Sequence, residues 1–100
     1  MPNMLIEIDV STGVFRYQKK FVHVKQGDTI DWTCNQGPFA IQFIGRSPFD
    51  SANFQFKQGR TQPSQTVRQN AQADLYRYAV AVYTSEKVYL DAECPAIIID

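Results

Sequence analysis

The sequence predicts an all-β chain, a Greek-key sandwich or barrel of about seven or eight short strands. Three observations point there. Apolar and polar residues alternate with a period of two in several short runs, the clearest being Thr-Ile-Asp-Trp-Thr-Cys and Phe-Ala-Ile-Gln-Phe. Gly, Pro, Asn and Asp separate those runs at turn spacing. No stretch shows helical periodicity, heptads or an internal repeat. The 100 residues are read as one domain spanning 1–100, enough for one core and not two.

Each element follows from local pattern. Residues 4–10 form a strand with Ile6, Ile8 and Val10 on one face and Glu7 and Asp9 on the other. Ser11-Thr12-Gly13 is a turn, 14–17 a short strand or irregular crossing, and Gln18-Lys19-Lys20 a polar bend. In the strand 21–25, Val22 and Val24 oppose Phe21, His23 and Lys25. Lys25-Gln26-Gly27-Asp28 turns the chain, because Gly accepts positive φ and Asp hydrogen-bonds nearby backbone. Ile30, Trp32 and Cys34 then alternate with Thr29, Asp31 and Thr33, and the lone indole suits a position between two sheets. After the Asn35-Gln36-Gly37-Pro38 turn, Phe39, Ile41 and Phe43 face inward.

The second half is less regular. Residues 45–50 carry the Gly and Pro of a loop. Residues 58–73 are Gln-rich and almost without large apolar side chains. They are expected to form a long connection that buries little, with one short strand near 65–68. In 75–83, Tyr76, Tyr78, Val80 and Val82 share a face opposite Arg77, Ala79 and Ala81. A loop over 84–95 contains the strand-like Val88-Tyr89-Leu90, and Ala96–Ile99 closes the chain as a buried strand.

Composition limits the function. Hydrophobic residues at 44% and charged residues at 20% are ordinary for a soluble globular chain. Ten basic and ten acidic residues cancel, so no net field attracts nucleic acid or an anionic membrane. No apolar run approaches the roughly 20 residues that span a bilayer, so no membrane insertion is expected. Met1-Pro2-Asn3-Met4 lacks the basic and apolar regions of a signal peptide. A native Met1 implies a cytoplasmic protein; a leader already removed implies a periplasmic or secreted one.

The framework residues resemble the cupredoxin family. The likeness runs through Val24-x-x-Gly27-Asp28-x-Ile30-x-Trp32, then Pro38-Phe39-x-Ile41-x-Phe43, a late Tyr76-x-Tyr78-x-Val80 and a final Pro95-x-Ile97-Ile98-Ile99. It covers 21–44 and 75–99. It implies a copper-free cupredoxin-like sandwich. In copper-binding members a His follows the Pro after the Trp strand, and the late Tyr strand ends in a Cys, a second His and usually a Met. Here those positions fall on Phe39, on Val80 and near Tyr83, and the two Met residues are Met1 and Met4.

Ligand supply agrees without the family. A type-1 copper centre needs two imidazoles, a thiolate and a weak axial ligand, and a structural zinc site needs four closed N or S ligands. This chain has one His and two Cys, none at metal-ligand spacing, and His23 reads as a solvated strand histidine. No cofactor is expected. Cys34 and Cys94 each read as an ordinary thiol, the first a small buried hydrophobe. If the resemblance holds, they lie toward one end of the sandwich, where a disulfide between them is geometrically allowed and would argue for an oxidising compartment.

Catalysis has little support. Neither Cys stands in a nucleophile motif, no Gly-rich loop cradles phosphate, and Asp91 and Glu93 read as a solvated acidic pair. What remains is a surface. The resemblance implies that the end where copper would sit carries Phe39 and Tyr83, with Arg46 and Phe49 nearby, residue types enriched at interfaces. The competing reading is that the aromatics cap the core. The leading expectation is a non-catalytic binding or assembly module for a protein or small ligand. The alternatives are a redox or metal-binding protein using Cys34, Cys94 and His23, and a small enzyme with an unrecognised site. Exposed sheet edges also allow a homodimer by strand pairing.

Overall fold

The computed structural model describes residues 3–17, 20–57, 59–60, 64–91 and 95–100. Its strands are β1 (Asn3–Asp9), β2 (Arg16–Tyr17), β3 (Phe21–Val24), β4 (Thr29–Cys34), β5 (Phe39–Phe43) and β6 (Asn53–Phe56), followed by β7 (Gly59–Arg60), β8 (Gln65–Thr66), β9 (Asp74–Tyr83), β10 (Val88–Leu90) and β11 (Ala96–Ile99). Segments outnumber the expected strands because β2, β7 and β8 are only two residues long. No helix of the structure is long and apolar enough to cross a membrane.

Two sheets face each other. In the first, β1 lies between β2 and β4, parallel to β4 with Ile6 opposite Trp32, and β7 and β8 both pair with β4. In the second the order is β3-β11-β9-β5-β6, and β10 also pairs with β9. Ten residues long, β9 carries β5 along one edge. The other edge holds β11 at its start, where Ala96 opposes Arg77, and β10 at its end, where Val88 opposes Tyr83. That long strand organises the outer face described below.

The period-two pattern translates directly into burial. Ile6, Ile8, Ile30, Trp32 and Cys34 from the first sheet meet Val22, Phe39, Ile41, Tyr78, Val80 and Val82 from the second, all buried. Trp32 is wholly buried, its ring edge-on to Phe49 and Tyr78 at centroid distances of 5.8 Å each. A ring of this size between sheets about 10 Å apart must be surrounded by other large groups to avoid a void. Phe54 and Phe56 complete the enclosure at 6.2 and 6.4 Å. They belong to β6, which local pattern left unassigned although Asn-Phe-Gln-Phe alternates correctly.

The turn before β4 forms as its residues dictate. Gly27 takes φ 87°, Asp28 N–H donates to Lys25 O at 3.1 Å, and the Asp28 carboxylate accepts from Lys25 N–H at 2.9 Å. The same turn corrects the reading of 58–73 as a stretch that buries little. Gly27 N–H donates to Val67 O, and Val67 N–H to Asp28 O, at 2.9 and 2.8 Å. Those bonds draw Val67 fully into the core, and Ala71 is buried beside it.

Two acidic residues also depart from expectation. Asp31 points to the outer side as alternation requires, yet is 2% exposed, accepting a hydrogen bond from Asn3 Nδ2 at 3.2 Å. Asp91 is buried rather than part of a solvated acidic pair, its carboxylate accepting a hydrogen bond from Tyr17 Oη. Glu93 lies outside the described residues.

Candidate functional site

The end of the sandwich around Phe39 is packed solid. Pro38 O accepts from Tyr83 N–H at 2.8 Å, closing β5 onto the end of β9. Phe39 opposes Val82, and Ile41 opposes Val80, so all four side chains enter the core from one face. The Phe39 ring rests on Phe56 at 5.2 Å. From the first sheet comes the Cys34 thiol, within 3.6 Å of Gln36 Oε1, which also accepts from Val10 N–H at 3.2 Å. Burial pushes the Cys34 thiol above its ordinary value. The side-chain groups brought here are a neutral thiol and an amide oxygen already bonded.

The candidate surface of Phe39, Arg46, Phe49 and Tyr83 does not assemble. Phe39 and Phe49 are core residues, 1% and 3% exposed, because both rings are needed around Trp32 and its neighbours. Tyr83 is 45% exposed at one end of β9. Arg46 lies at the other, bonded to the Asp74 carboxylate and to Gln72 Oε1. The register of β9 separates the two ends by about 30 Å.

The Cys34 and His23 pairing fails on the same grounds. His23 faces outward from β3, exposed, with Nδ1 3.0 Å from Asp100 Oδ2, whereas Cys34 faces inward from β4. Cys34 carries a free thiol; Cys94, its suggested disulfide partner, lies outside the described residues. Among the described residues, no three His, Cys, Asp or Glu side chains converge.

Register instead exposes a feature that local pattern did not bring together. On the outer face of the second sheet, Leu90, Ala81 and Ala40 form one row and Val88 and Tyr83 the row at the sheet's end. Toward the opposite end, Ile44 N–H bonds Arg77 O, and Arg77 continues the row through Ala96 to Phe21. Beyond it lie Leu75, Ile98 and His23. Of seven large hydrophobic side chains exposed among the described residues, six stand on this face: Phe21, Ile44, Leu75, Tyr83, Val88 and Leu90. The seventh, Val14, lines a cleft of about 430 Å³ with Leu90, Phe15 and the Tyr17–Asp91 pair. By contrast, the outer face of the first sheet presents Asn3, Glu7, Thr29 and Thr33.

The order and pairing of the two sheets can be set beside solved structures. A purple cupredoxin from Nitrosopumilus maritimus is 19% identical over 94% of this chain and 98% of its own, with a TM-score of 0.53. An amicyanin mutant in its oxidised state is 19% identical over 96% and 82%, with a TM-score of 0.56. A pseudoazurin from Sinorhizobium meliltoi is 14% identical over 100% and 75%, with a TM-score of 0.58. This chain has the cupredoxin fold. No family model and no curated protein matches it.

Within the cupredoxin fold, the positions suggested for copper ligands can be tested against what they contain. Phe39 and Val80 are fully enclosed hydrocarbon, and Tyr83 points away from them into solvent. Neither a benzene ring nor an isopropyl group can donate to a metal, and no imidazole stands among the described residues at this end. The residues at these positions do not fit a type-1 copper ion.

Proposed function

We propose that this chain is a non-catalytic binding or assembly module on the cupredoxin fold, without a type-1 copper site, and that it binds through the outer face of its second sheet. The reading is carried by the six exposed hydrophobic side chains gathered there. A solvated sheet face ordinarily alternates polar-out, and exposed apolar clusters such as these, at the two ends of one face with Ala40, Ala79 and Ala81 between them, mark an interaction site. The Tyr83 end of this face adjoins the loops where copper would sit, so part of the surface expected from sequence belongs to it. The filled Phe39 end supports the copper-free part of the reading: large rings take the volume a metal and its imidazoles would need.

The test combines metal and surface. The chain titrated with Cu(II) is expected to develop no intense visible band. Leu90→Asp, a change at a side chain 69% exposed, is expected to abolish partner binding while leaving the fold intact. A tightly held blue copper ion, or binding indifferent to Leu90→Asp, defeats the proposal.

A further inference from the structure

We infer that the partner on this face is a second copy of the chain, two sandwiches stacking back to back through their β9-centred sheets. The inference rests on the binding reading above and adds the identity of the partner. Size comes first. The strands flank β9 in two halves, β11 and β3 along 74–77 and β10, β5 and β6 along 78–83, so at about 4.8 Å per strand each half is about 15–20 Å wide, and the ten residues of β9 extend the face to about 30 Å. The flat area is about 500 Å² per copy before side-chain relief, or about 1,000 Å² for two, the lower end of what a biological interface buries. A peptide segment would leave most of it wet.

Charge points the same way. Among the described strand residues from the Val88–Tyr83 row to the row of His23, Arg77 alone carries a permanent charge, while Lys20, 5.9 Å over the Phe21 ring, and Asp100, 3.0 Å from His23, stand at the margin, so the centre of the face offers little for an acidic or basic partner to read. The chain as a whole is formally neutral, with ten basic and ten acidic residues. Two copies therefore approach without net repulsion. A matching face that is equally apolar and equally poor in charge is what this surface complements, and the copy itself supplies one.

Shape permits the contact. Ala40, Ala79 and Ala81 occupy the centre, where they are partly covered, while Leu90, Val88 and Tyr83 rise at one end and Phe21, Leu75 and Ile44 at the other. Small central side chains allow two sheets to close to the usual stacking distance of about 10 Å. A two-fold axis lying in the face near Ala79 repeats every contact, as an isologous interface requires. The arrangement differs from strand pairing at a sheet edge, which would leave all six apolar side chains in water.

Sedimentation velocity over a concentration series tests this. The wild-type chain is expected to dimerise reversibly. Leu90→Asp and, separately, Tyr83→Asp should each weaken the dimer about thirtyfold or more, the effect of losing one interface hot spot. Glu7→Lys, on the polar face of the first sheet, should leave the dimer unchanged. Near-ultraviolet dichroism of Trp32 verifies that each variant is folded. A wild-type monomer at every concentration, or a dimer indifferent to both Asp variants, overturns the inference. If that monomer still loses a different partner on Leu90→Asp, only the second-copy identity falls; if Leu90→Asp changes no binding at all, the binding face falls with it.

Discussion

Gly37 and Tyr83 meet backbone to backbone: a β-carbon added to Gly37 would stand 2.0 Å from the Tyr83 carbonyl oxygen. The contact sits where β5 closes onto the end of β9, beside the bond from Tyr83 N–H to Pro38 O. Backbone cannot swing aside as a flexible side chain can, so the turn and the strand would have to part. Gly37→Ala is expected to cost about 2–3 kcal/mol, the scale of overpacking, read as a lower urea midpoint at unchanged slope. A variant as stable as wild type would mean that this end is looser than described.

The aromatic residues separate into two classes. Phe49→Ala and Phe39→Ala each empty a buried site around Trp32 and Phe56 and should cost about 3–5 kcal/mol. Tyr83→Ala acts on a ring 45% exposed and should cost under about 1 kcal/mol. Equilibrium unfolding of the three variants at low protein concentration makes the comparison. Equal losses at Phe49 and Tyr83 would contradict the packing.

Stability should fall in alkali. Burial raises the Cys34 thiol above its ordinary 9.0, and burial raises the Tyr78 phenol well above 10.0. The unfolded chain then releases each proton at a lower pH than the folded chain does. The stabilisation is fully present below the unfolded values and is lost as pH climbs from 9.0, then past 10.0, toward the folded ones. The slope is at most about 1.4 kcal/mol per pH unit for each group. Tyr78→Phe keeps the ring, gives up the acceptor for Trp32 Nε1–H at 3.4 Å, and should flatten the upper part of the curve. A Tyr78→Phe profile superimposable on wild type above pH 10.0 would refute the assignment.

Tyr17 and Asp91 join β2 to the residue after β10 through a buried carboxylate. Removing the donor leaves Asp91 without one of its hydrogen bonds in a site 7% exposed. Tyr17→Phe is therefore expected to cost about 1–3 kcal/mol at neutral pH, while Phe15 and the apolar wall of the cleft stay in place. Thermal denaturation of the single variant suffices to check it, and an unchanged midpoint would show that the bond is worth nothing.

Much of this protein was legible along the chain because strand alternation is a local property. Ile30, Trp32 and Cys34, or Tyr76, Tyr78, Val80 and Val82, declare their buried face by spacing alone, and all of them are buried. Gly27 and Asp28 likewise fix their turn through bonds within three residues. The framework likeness to cupredoxins rested on those same positions, and the fold agrees with it. Tertiary structure decided everything that depends on which strands are neighbours. It buried Val67 by tying it to Gly27, in a turn forty residues earlier in the chain. It settled Phe49, which the sequence left open between surface and core, into the Trp32 cluster, and it set Arg46 and Tyr83 at opposite ends of β9. It also joined Leu90, Ala81 and Ala40, from three distant segments, into one apolar row. A strand's own sequence states which side chains leave each face; only hydrogen-bonded register between strands determines whether those side chains add up to a surface.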